Sequence, residues 1–234
     1  MSDGRAHEDA GGLRRAVVVF AKRPRAGRVK TRLCPPLRPC EAARLYGCLL
    51  RDTLDLVREI PALRRLAVTP WSEAAWFRRV APDFRLLRQG PGGLGRRMAA
   101  VARACFASGA RSVVLLGSDS PTLPPSSIEA AFRRLEDGAD AVLGPCTDGG
   151  YYLVGLSGPD VSLFEGVPFS SPTTLAATLE LGERSGLRVE TVEPWYDVDG
   201  PADLERLRRE LAEPSAAGPA PRTSRFLREG PGGG

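Results

Sequence analysis

Positive charge is concentrated in one short segment that follows the first long apolar run. Residues 22–38 contain seven lysine and arginine side chains and no carboxylate. The only two lysines of the chain, Lys22 and Lys30, both lie here together with Arg28, whereas arginine supplies the positive charge elsewhere. Such side chains neutralise phosphates and stabilise charge on a departing phosphate. The segment is therefore predicted to bind phosphate, although it lacks the second glycine of a Walker A loop. The alternative is a solvated loop of charges.

Aspartates from two distant parts of the chain are candidates for a metal site. Asp119 directly follows the apolar run 112–117, and Asp197 and Asp199 belong to a late Asp-Val-Asp motif. Magnesium and manganese prefer oxygen ligands, and one or two carboxylates suffice when substrate phosphates complete the set. Asp119 and Asp199 are therefore expected to hold Mg²⁺ or Mn²⁺, with Asp197 as a further ligand or an orienting residue. The alternative role for Asp199 is to cap the helix that begins near residue 201.

Two polar segments are candidates for substrate binding. Asp148 precedes a pair of glycines, Gly149 and Gly150, which would let a sugar approach the backbone while the carboxylate accepts a hydrogen bond from a hydroxyl. The alternative is a simple turn in which Asp148 bonds its own backbone. Ser170 and Ser171 precede a predicted helix. They either cap this helix or help its N-terminus to hold an anionic acceptor.

The composition argues against several other kinds of chemistry. The only histidine is His7, and the five cysteines include no C-x-x-C pair, so neither a zinc site nor a histidine base is expected. The formal charge is +5, but the basic segment leaves −2 on the rest of the chain, which disfavours a nucleic-acid partner. No apolar run approaches the ~20 residues of a membrane span. The odd number of cysteines indicates reduced thiols, so the chain is expected to be cytoplasmic, without a membrane partner.

Apolar runs of strand length alternate with helical patterns along the chain. This alternation predicts an α/β domain with a mostly parallel central sheet and helices on both faces. The domain is predicted to span 14–212, between a disordered leader (1–13) and a disordered tail (213–234) rich in Pro, Ala, Gly, Ser and Arg. Strands are predicted at 15–21, 65–69, 84–88, 112–117, 140–143, 151–156 (returning antiparallel) and 188–192. Helices are predicted at 40–60, at 72–80 with Ser72 as N-cap, and at 126–136. A further helix follows the glycine-rich turn 89–98 and ends at about 108. Another follows the capping segment 169–175 and ends at about 185, and the last runs from 201 to 213.

Four motifs, taken in order, resemble a known bacterial family. They are F-A-K-x-P-x-x-G-x-V-K-T-R-L at 20–33, G-x-D-x-P-x-L at 117–123, G-P-x-x-D-G-G-Y-Y-L-x-G-L at 144–156 and D-V-D-x-P-x-D-L at 197–204. Its members are small glycosyltransferase-like proteins, labelled CofC-like, MobA-like or arsenosugar-biosynthesis glycosyltransferases, in the nucleotide-diphospho-sugar transferase superfamily. The resemblance covers about residues 15–212 and implies the GT-A fold, with a nucleotide or nucleotide sugar and a small-molecule acceptor as substrates.

The resemblance also implies roles for individual residues. It places metal and nucleotide binding in the basic segment and at the two distant aspartates, and base reading at Gln89 and Gly90. The glycine-rich turn departs from the family, because Gly93 and Arg96 stand where relatives often have acidic residues. The predicted catalytic residues are Lys22, Arg28, Lys30 and Asp119. The predicted nucleotide-binding residues are Ala21, Lys22, Arg28, Lys30, Gln89, Gly90, Gly95 and Asp119.

Three functions are compatible with these motifs. The first is transfer of a sugar from a nucleotide-diphospho-sugar to a small acceptor. The second is guanylyl or cytidylyl transfer to a phosphorylated small molecule, because Asp119 stands alone at its strand end, without the D-x-D of many GT-A enzymes. The third, a non-catalytic nucleotide- or nucleic-acid-binding module, is disfavoured by the charge distribution. The acceptor, the base and the oligomeric state are left open, with a homodimer as one alternative.

Overall fold

The computed structural model describes residues 14–212 and 220–230, which contain one central sheet. Its strands are β1 (Arg15–Lys22), β2 (Leu63–Thr69), β3 (Arg85–Arg88), β4 (Ser112–Leu116), β5 (Ala141–Pro145), β6 (Tyr151–Leu156) and β7 (Val189–Thr191). They lie in the order β3-β2-β1-β4-β6-β5-β7. Neighbouring strands are parallel except at β6, which runs antiparallel to both β4 and β5. The predicted α/β class, the mostly parallel sheet and the returning strand are confirmed.

Helices cover both faces of this sheet. They are α1 (Pro39–Arg58), α2 (Ala74–Val80), α3 (Leu94–Ala107), α4 (Pro125–Glu136), α5 (Thr174–Arg184), α6 (Pro201–Ala212) and α7 (Pro221–Glu229), with 3-10 turns at Thr31–Leu33, Trp71–Glu73 and Ser162–Phe164. Successive β1 side chains point to opposite faces. Val17 and Val19 pack in one core with α1 and α4, whereas Ala16 and Val18 pack in the other with α3. Burial on both faces explains why β1 is continuously apolar.

The predicted cap at Ser72 is wrong. The chain enters a 3-10 turn at Trp71, directly after Pro70, and Ser72 lies inside that turn. Neither this turn nor the following α2 has a side-chain cap. Pro70 has an extended backbone conformation, and the 3-10 turn starts at the next residue. The helical segment therefore begins before Ser72, which the sequence pattern had placed at its N-cap.

The predicted disordered tail is wrong for residues 220–230, which contain α7. This helix packs along α1, and Phe226 joins a buried cluster with Leu45 and Leu49. The Asp52 carboxylate of α1, only 3% exposed, accepts hydrogen bonds from the Thr223 backbone N–H (2.8 Å) and hydroxyl (2.7 Å). The composition hides this helix, because its partners are distant in sequence. The predicted leader (1–13) and the rest of the tail (213–219 and 231–234) lie outside the described residues.

The carboxyl ends of β1, β4 and β5 meet the amino end of β6 at one edge of the sheet. The basic segment 22–38, called the basic loop from here on, follows β1, and Asp119 follows β4. The turn that contains Asp148, called the Asp148 turn, joins β5 to β6. Ligands of open α/β sheets bind at this edge. None of the helices in residues 14–212 and 220–230 is both long and apolar enough to cross a membrane.

Candidate active site

The basic loop packs against α1 at the residue that precedes its second lysine, Lys30. Val29, 7% exposed, packs against Ala43 and Tyr46 of α1. Lys30 then adopts a left-handed backbone conformation (φ 48°) at the start of the 3-10 turn. Only 6% of its side chain is exposed. The apolar anchor and the backbone turn thus direct the Lys30 ammonium inwards, away from solvent.

Lys30 joins the two aspartates that the sequence singles out. Its Nζ donates to Asp119 Oδ2 at 2.5 Å and to Asp199 Oδ1 at 2.6 Å. Burial disfavours the charged ammonium, but the two carboxylates outweigh burial and raise the pKa of Lys30. Burial likewise disfavours the Asp199 carboxylate, yet Lys30 outweighs it and lowers the pKa of Asp199. The arrangement is therefore a charged cluster at neutral pH.

Asp197 lies behind this cluster and is half-buried. Its carboxylate accepts a hydrogen bond from the Ser120 hydroxyl. Burial and the negative charge of Asp119 raise the pKa of Asp197 to about 7. The Asp-Val-Asp segment reaches the loop after β4 because the Val198 N–H donates to the Asp119 carbonyl at 3.0 Å.

Asp199 is not the cap of α6. Asp203, in the first turn of α6, instead reaches back, and its Oδ2 accepts from the backbone N–H of Asp199 (3.1 Å) and of Gly200 (2.7 Å). The Asp199 carboxylate is left to face Lys30 and, at 3.8 Å, Arg32. The sequence signal for Asp203 was an acidic residue in the first turn of a helix that begins with proline.

Tyr46 is a functional candidate that the sequence reasoning missed. Its hydroxyl accepts from the Lys22 backbone N–H at 3.2 Å and shares a 2.8 Å hydrogen bond with the Ser118 hydroxyl. The side chain is buried, and burial is the main reason that the pKa of Tyr46 is raised. Tyr46 therefore joins the basic loop to the loop that carries Asp119. A phenol hydroxyl among the apolar residues of the buried face of α1 was the available signal.

A cavity of about 580 Å³ opens in front of the Lys30 cluster and is called the phosphate cavity. The Gln89 amide at its edge donates to the Ala67 carbonyl at 2.7 Å. Gly90 and Gly95 do not line the cavity, whereas Gly92 and Gly93 do. A Cβ on Gly95 would lie 2.4 Å from the Phe169 ring, so this glycine permits close packing within the protein. The predicted residues that line the cavity are Ala21, Lys22, Arg28, Lys30, Gln89, Asp119, Ser170 and Asp199.

A second cavity of about 500 Å³ adjoins the first and is called the acceptor cavity. It brings together the predicted residues Asp148, Gly150, Ser170 and Ser171, with Asp197 and Asp199 at its base. The two cavities share four lining residues, which are Arg32, Leu94, Ser170 and Asp199.

The Asp148 turn is ordered by its own backbone. Asp148 Oδ1 accepts from the Gly150 N–H at 2.9 Å, as in the simple-turn interpretation. Gly149 has φ +86°, and a Cβ there would lie 2.0 Å from the Pro172 carbonyl oxygen. Its own carbonyl accepts from the Leu175 N–H at 2.9 Å. Gly149 thus joins the turn to the start of α5 and does not line the acceptor cavity.

A larger cavity, about 990 Å³, lies between α1 and α7. It contains none of the predicted site residues. Cavity size and the convergence of charged groups thus point to different places, and the convergence at the sheet edge defines the candidate site.

The donor set at the sheet edge suits a divalent cation. Carboxylate oxygens of Asp119 and Asp199 converge on one positive centre, the Lys30 ammonium, at 2.5 and 2.6 Å. In the ranges 14–212 and 220–230, no group of three or more acidic, cysteine or histidine side chains is arranged to hold a metal. The two aspartates can thus supply ligands once the ammonium moves, and a substrate phosphate must complete the set.

The family of the chain follows from its sequence. Residues 53–171 match the model of a family described as "Uncharacterized protein conserved in bacteria (DUF2064)". The chain belongs to this family. A comparison with curated proteins finds no match for the sequence.

Solved structures relate the DUF2064 chain to nucleotide-dependent transferases. A protein of Desulfovibrio desulfuricans G20, assigned as a nucleotide-diphospho-sugar transferase, is 31% identical, with a TM-score of 0.84 over 92% of this chain and 94% of that chain. A cytidylyltransferase from Leptospira borgpetersenii is 10% identical, with a TM-score of 0.59 over 93% and 95% of the two chains. CMP:2-keto-3-deoxy-manno-octonic acid synthetase complexed with CTP is 16% identical, with a TM-score of 0.53 over 85% and 98%.

These similarities confirm the predicted superfamily and the transferase class of the DUF2064 chain. The two distant structures show the fold alone, because their identities are low. The chain is a member of the nucleotide-diphospho-sugar transferase superfamily, and the fold is the one that its motifs imply.

Proposed function

We propose that the protein is a divalent-metal-dependent glycosyltransferase that moves a sugar from a nucleotide-diphospho-sugar to a small acceptor. The observation that carries this proposal is the pair of adjoining cavities at the carboxyl edge of the sheet. One is lined by Lys22, Arg28 and Lys30, and the other by hydroxyl and carboxylate side chains. A donor diphosphate fits the first, and the sugar then reaches the shared wall beside the second. The assignment of the D. desulfuricans relative agrees with this function.

The cationic residues have a defined part in this reaction. The bond between the anomeric carbon and the diphosphate oxygen breaks, and the nucleoside diphosphate leaves with an additional negative charge. Lys22 and Arg28, both at the phosphate cavity, stabilise that charge. The acceptor oxygen forms the new bond to the anomeric carbon, and its proton passes to a carboxylate of the acceptor cavity, for which Asp148 and Asp197 are the candidates.

Mg²⁺ or Mn²⁺ would be held by Asp119 and Asp199, with Asp197 behind them. The ion supplies positive charge to the diphosphate when bound. With the ion bound, Lys30 would release the two carboxylates, and its ammonium would be available to the phosphates. The phosphates would replace the two carboxylates as the anions that keep the buried ammonium charged.

Nucleotidyl transfer is the second candidate. Asp119 stands alone at the end of β4, and its partner Asp199 comes from a distant Asp-Val-Asp motif instead of a local D-x-D. In that reaction a phosphate oxygen of the acceptor attacks the α-phosphate of a nucleoside triphosphate, and pyrophosphate leaves.

Product analysis separates the two reactions. The protein is incubated with Mg²⁺, a panel of nucleotide sugars and nucleoside triphosphates, and small acceptors. Release of a nucleoside diphosphate from a nucleotide sugar is expected, and pyrophosphate from a triphosphate would refute glycosyl transfer. Asp119→Asn should abolish turnover, whereas Asp137→Asn, an exposed change at the end of α4, should not.

We also propose the cytoplasm as the compartment and 14–212 as the catalytic domain. The five cysteines, all in the described ranges, are free. Free thiols are typical of reducing compartments. Nucleic acid is not expected as a partner, and a homodimer stays a prediction.

A further inference from the structure

The two cavities differ in charge. The phosphate cavity is lined by the cations Lys22, Arg28, Lys30, Arg32 and Arg97. Among the described residues that line the acceptor cavity, Arg32 is the only cation, and it lies on the shared wall with 75% of its side chain exposed. The same cavity is lined by the carboxylates of Asp148, Asp197 and Asp199. Positive charge therefore ends at the wall between the cavities.

The polar groups of the acceptor cavity suit hydroxyls. Asp148 uses Oδ1 for the Gly150 N–H, which leaves Oδ2 to accept from a ligand. Ser170 lines both cavities with a left-handed backbone (φ 63°), and its hydroxyl makes no hydrogen bond within the described part of the chain. An acceptor and a donor–acceptor group thus face the space where a hydroxyl-bearing ligand would lie.

Apolar groups complete the lining. Phe169 and Tyr151 form an edge-to-face pair with ring centroids 6.4 Å apart. Leu94, 45% exposed, stands on the shared wall. Pockets for small molecules combine such apolar surface with a few oriented polar groups. The carbon–hydrogen face of a sugar or sugar alcohol matches this combination.

We propose that the acceptor is an uncharged polyhydroxy compound, such as a sugar or sugar alcohol, and not its phosphate ester. This inference rests on the proposed function, since it names the acceptor of the same reaction. A phosphate monoester carries a charge of about −1.5 to −2 near neutral pH. Beside Asp148 it would meet like charge, with Arg32 as the only cation of the described lining. Such like-charge contacts exclude a wrong partner.

The test compares matched acceptor pairs in the nucleotide-sugar assay. The pairs are glucose with glucose 6-phosphate, glycerol with glycerol 3-phosphate, and mannitol with mannitol 1-phosphate. With the full chain and Mg²⁺, a neutral member should raise nucleoside diphosphate release above donor hydrolysis, with kcat/KM about tenfold or more above its phosphate ester. Equal rates within the pairs, a preference for the esters, or no stimulation by any neutral polyol would overturn the inference.

The outcome also separates this inference from the function on which it rests. If a phosphate ester stimulates nucleoside diphosphate release, glycosyl transfer stands and the acceptor class is overturned. If a phosphate ester and a nucleoside triphosphate instead yield pyrophosphate, both proposals are overturned.

A variant at Asp148 tests the charge argument directly. Asp148→Asn keeps an oxygen for the Gly150 N–H and removes the negative charge. It should lower the preference for the neutral member about threefold or more, as expected for one nearby charge. Asp160→Asn is the matched control, because Asp160 Oδ1 makes the same kind of turn hydrogen bond to the Ser162 N–H at 2.9 Å outside the cavity. A preference that is unchanged in Asp148→Asn, or changed equally in both variants, would contradict the proposal.

Discussion

Replacing Lys30 with methionine tests how the charged cluster works. The Lys30 ammonium lies 2.5 Å from Asp119 Oδ2 and 2.6 Å from Asp199 Oδ1, with 6% of the side chain exposed. A cation that binds both carboxylates must displace this ammonium, so the lysine competes with the metal. Methionine keeps an unbranched apolar side chain and removes the charge. The Lys30→Met variant should therefore bind Mn²⁺ more tightly than the wild type when nucleotide is absent.

The size of the effect follows from the two hydrogen bonds. A hydrogen bond to a charged group contributes about 1.5–3 kcal/mol, so the pair contributes about 3–6 kcal/mol. The displaced ammonium regains hydrogen bonds to water, so we take about half of this free energy as the net cost that the metal must overcome to displace it. At about 1.4 kcal/mol per factor of ten, Mn²⁺ affinity should increase roughly 10- to 150-fold.

Mn²⁺ titration followed by electron paramagnetic resonance measures this affinity without catalysis. Thermal unfolding adds a second readout. The variant should be less stable than the wild type without metal, because two carboxylates lose their partner, and Mn²⁺ should restore the stability. Transfer activity should fall in the same variant, since the lysine charge is missing when phosphate is bound.

Lys22→Met is the matched control. It removes the same charge from the same loop, but Lys22 is exposed and makes no ion pair within residues 14–212 and 220–230. Its Mn²⁺ affinity should stay close to that of the wild type. Unchanged or weaker Mn²⁺ binding by Lys30→Met, or an equal gain in both variants, would refute the competition.

Three further predictions concern parts of the fold that support the site. Tyr46→Phe, which removes the hydroxyl that joins the basic loop to the loop after β4, should lower kcat about tenfold and cost about 1–3 kcal/mol of stability, because the Lys22 N–H and the Ser118 hydroxyl lose this partner; an unchanged kcat would contradict a positioning role. Asp52→Ala should cost about 2–4 kcal/mol in urea unfolding, because buried donors of Thr223 lose their acceptor; a loss below about 1 kcal/mol would mean that α7 is not docked as described. The hydrogen bond from Arg15 lowers the pKa of Glu136 below 4.5, so its stabilisation is present above pH 4.5 and is lost as the pH falls through the folded pKa. Glu136→Gln should therefore cost about 1 kcal/mol at pH 7 and less below pH 4.5, and a pH-independent difference would contradict the ion pair.

The sheet and the charged cluster were accessible from local patterns. β1 is buried on both faces, so its residues 16–21 are all apolar and stand out in any window. Parallel strands bring their carboxyl ends to one edge, so Lys30 and Asp119 could be placed together without knowledge of their distance. The ion pair between Lys30 and Asp119 depends on the left-handed backbone conformation of Lys30, which no sequence pattern predicted.

Other features depend on neighbours that are far apart in the chain. Whether a glycine faces a ligand or another segment of the protein is decided by tertiary packing, as Gly95 against Phe169 and Gly149 against Pro172 demonstrate. The docking of α7 depends on Asp52, about 170 residues earlier. A short helix of marginal intrinsic stability can be predicted only when the surface that it covers is known.

The insertion of β6 between β4 and β5 has a consequence for the two cavities. Because neighbouring strands lie about 4.8 Å apart, the strands that lead to Asp119 and Asp148 are held about 9.6 Å apart by backbone hydrogen bonds. Side chains of the hairpin between β5 and β6 other than Gly149 can therefore change without shifting the segments that follow β1 and β4. Under the proposed function, changes in this one hairpin would alter the acceptor cavity while the phosphate cavity keeps its lining.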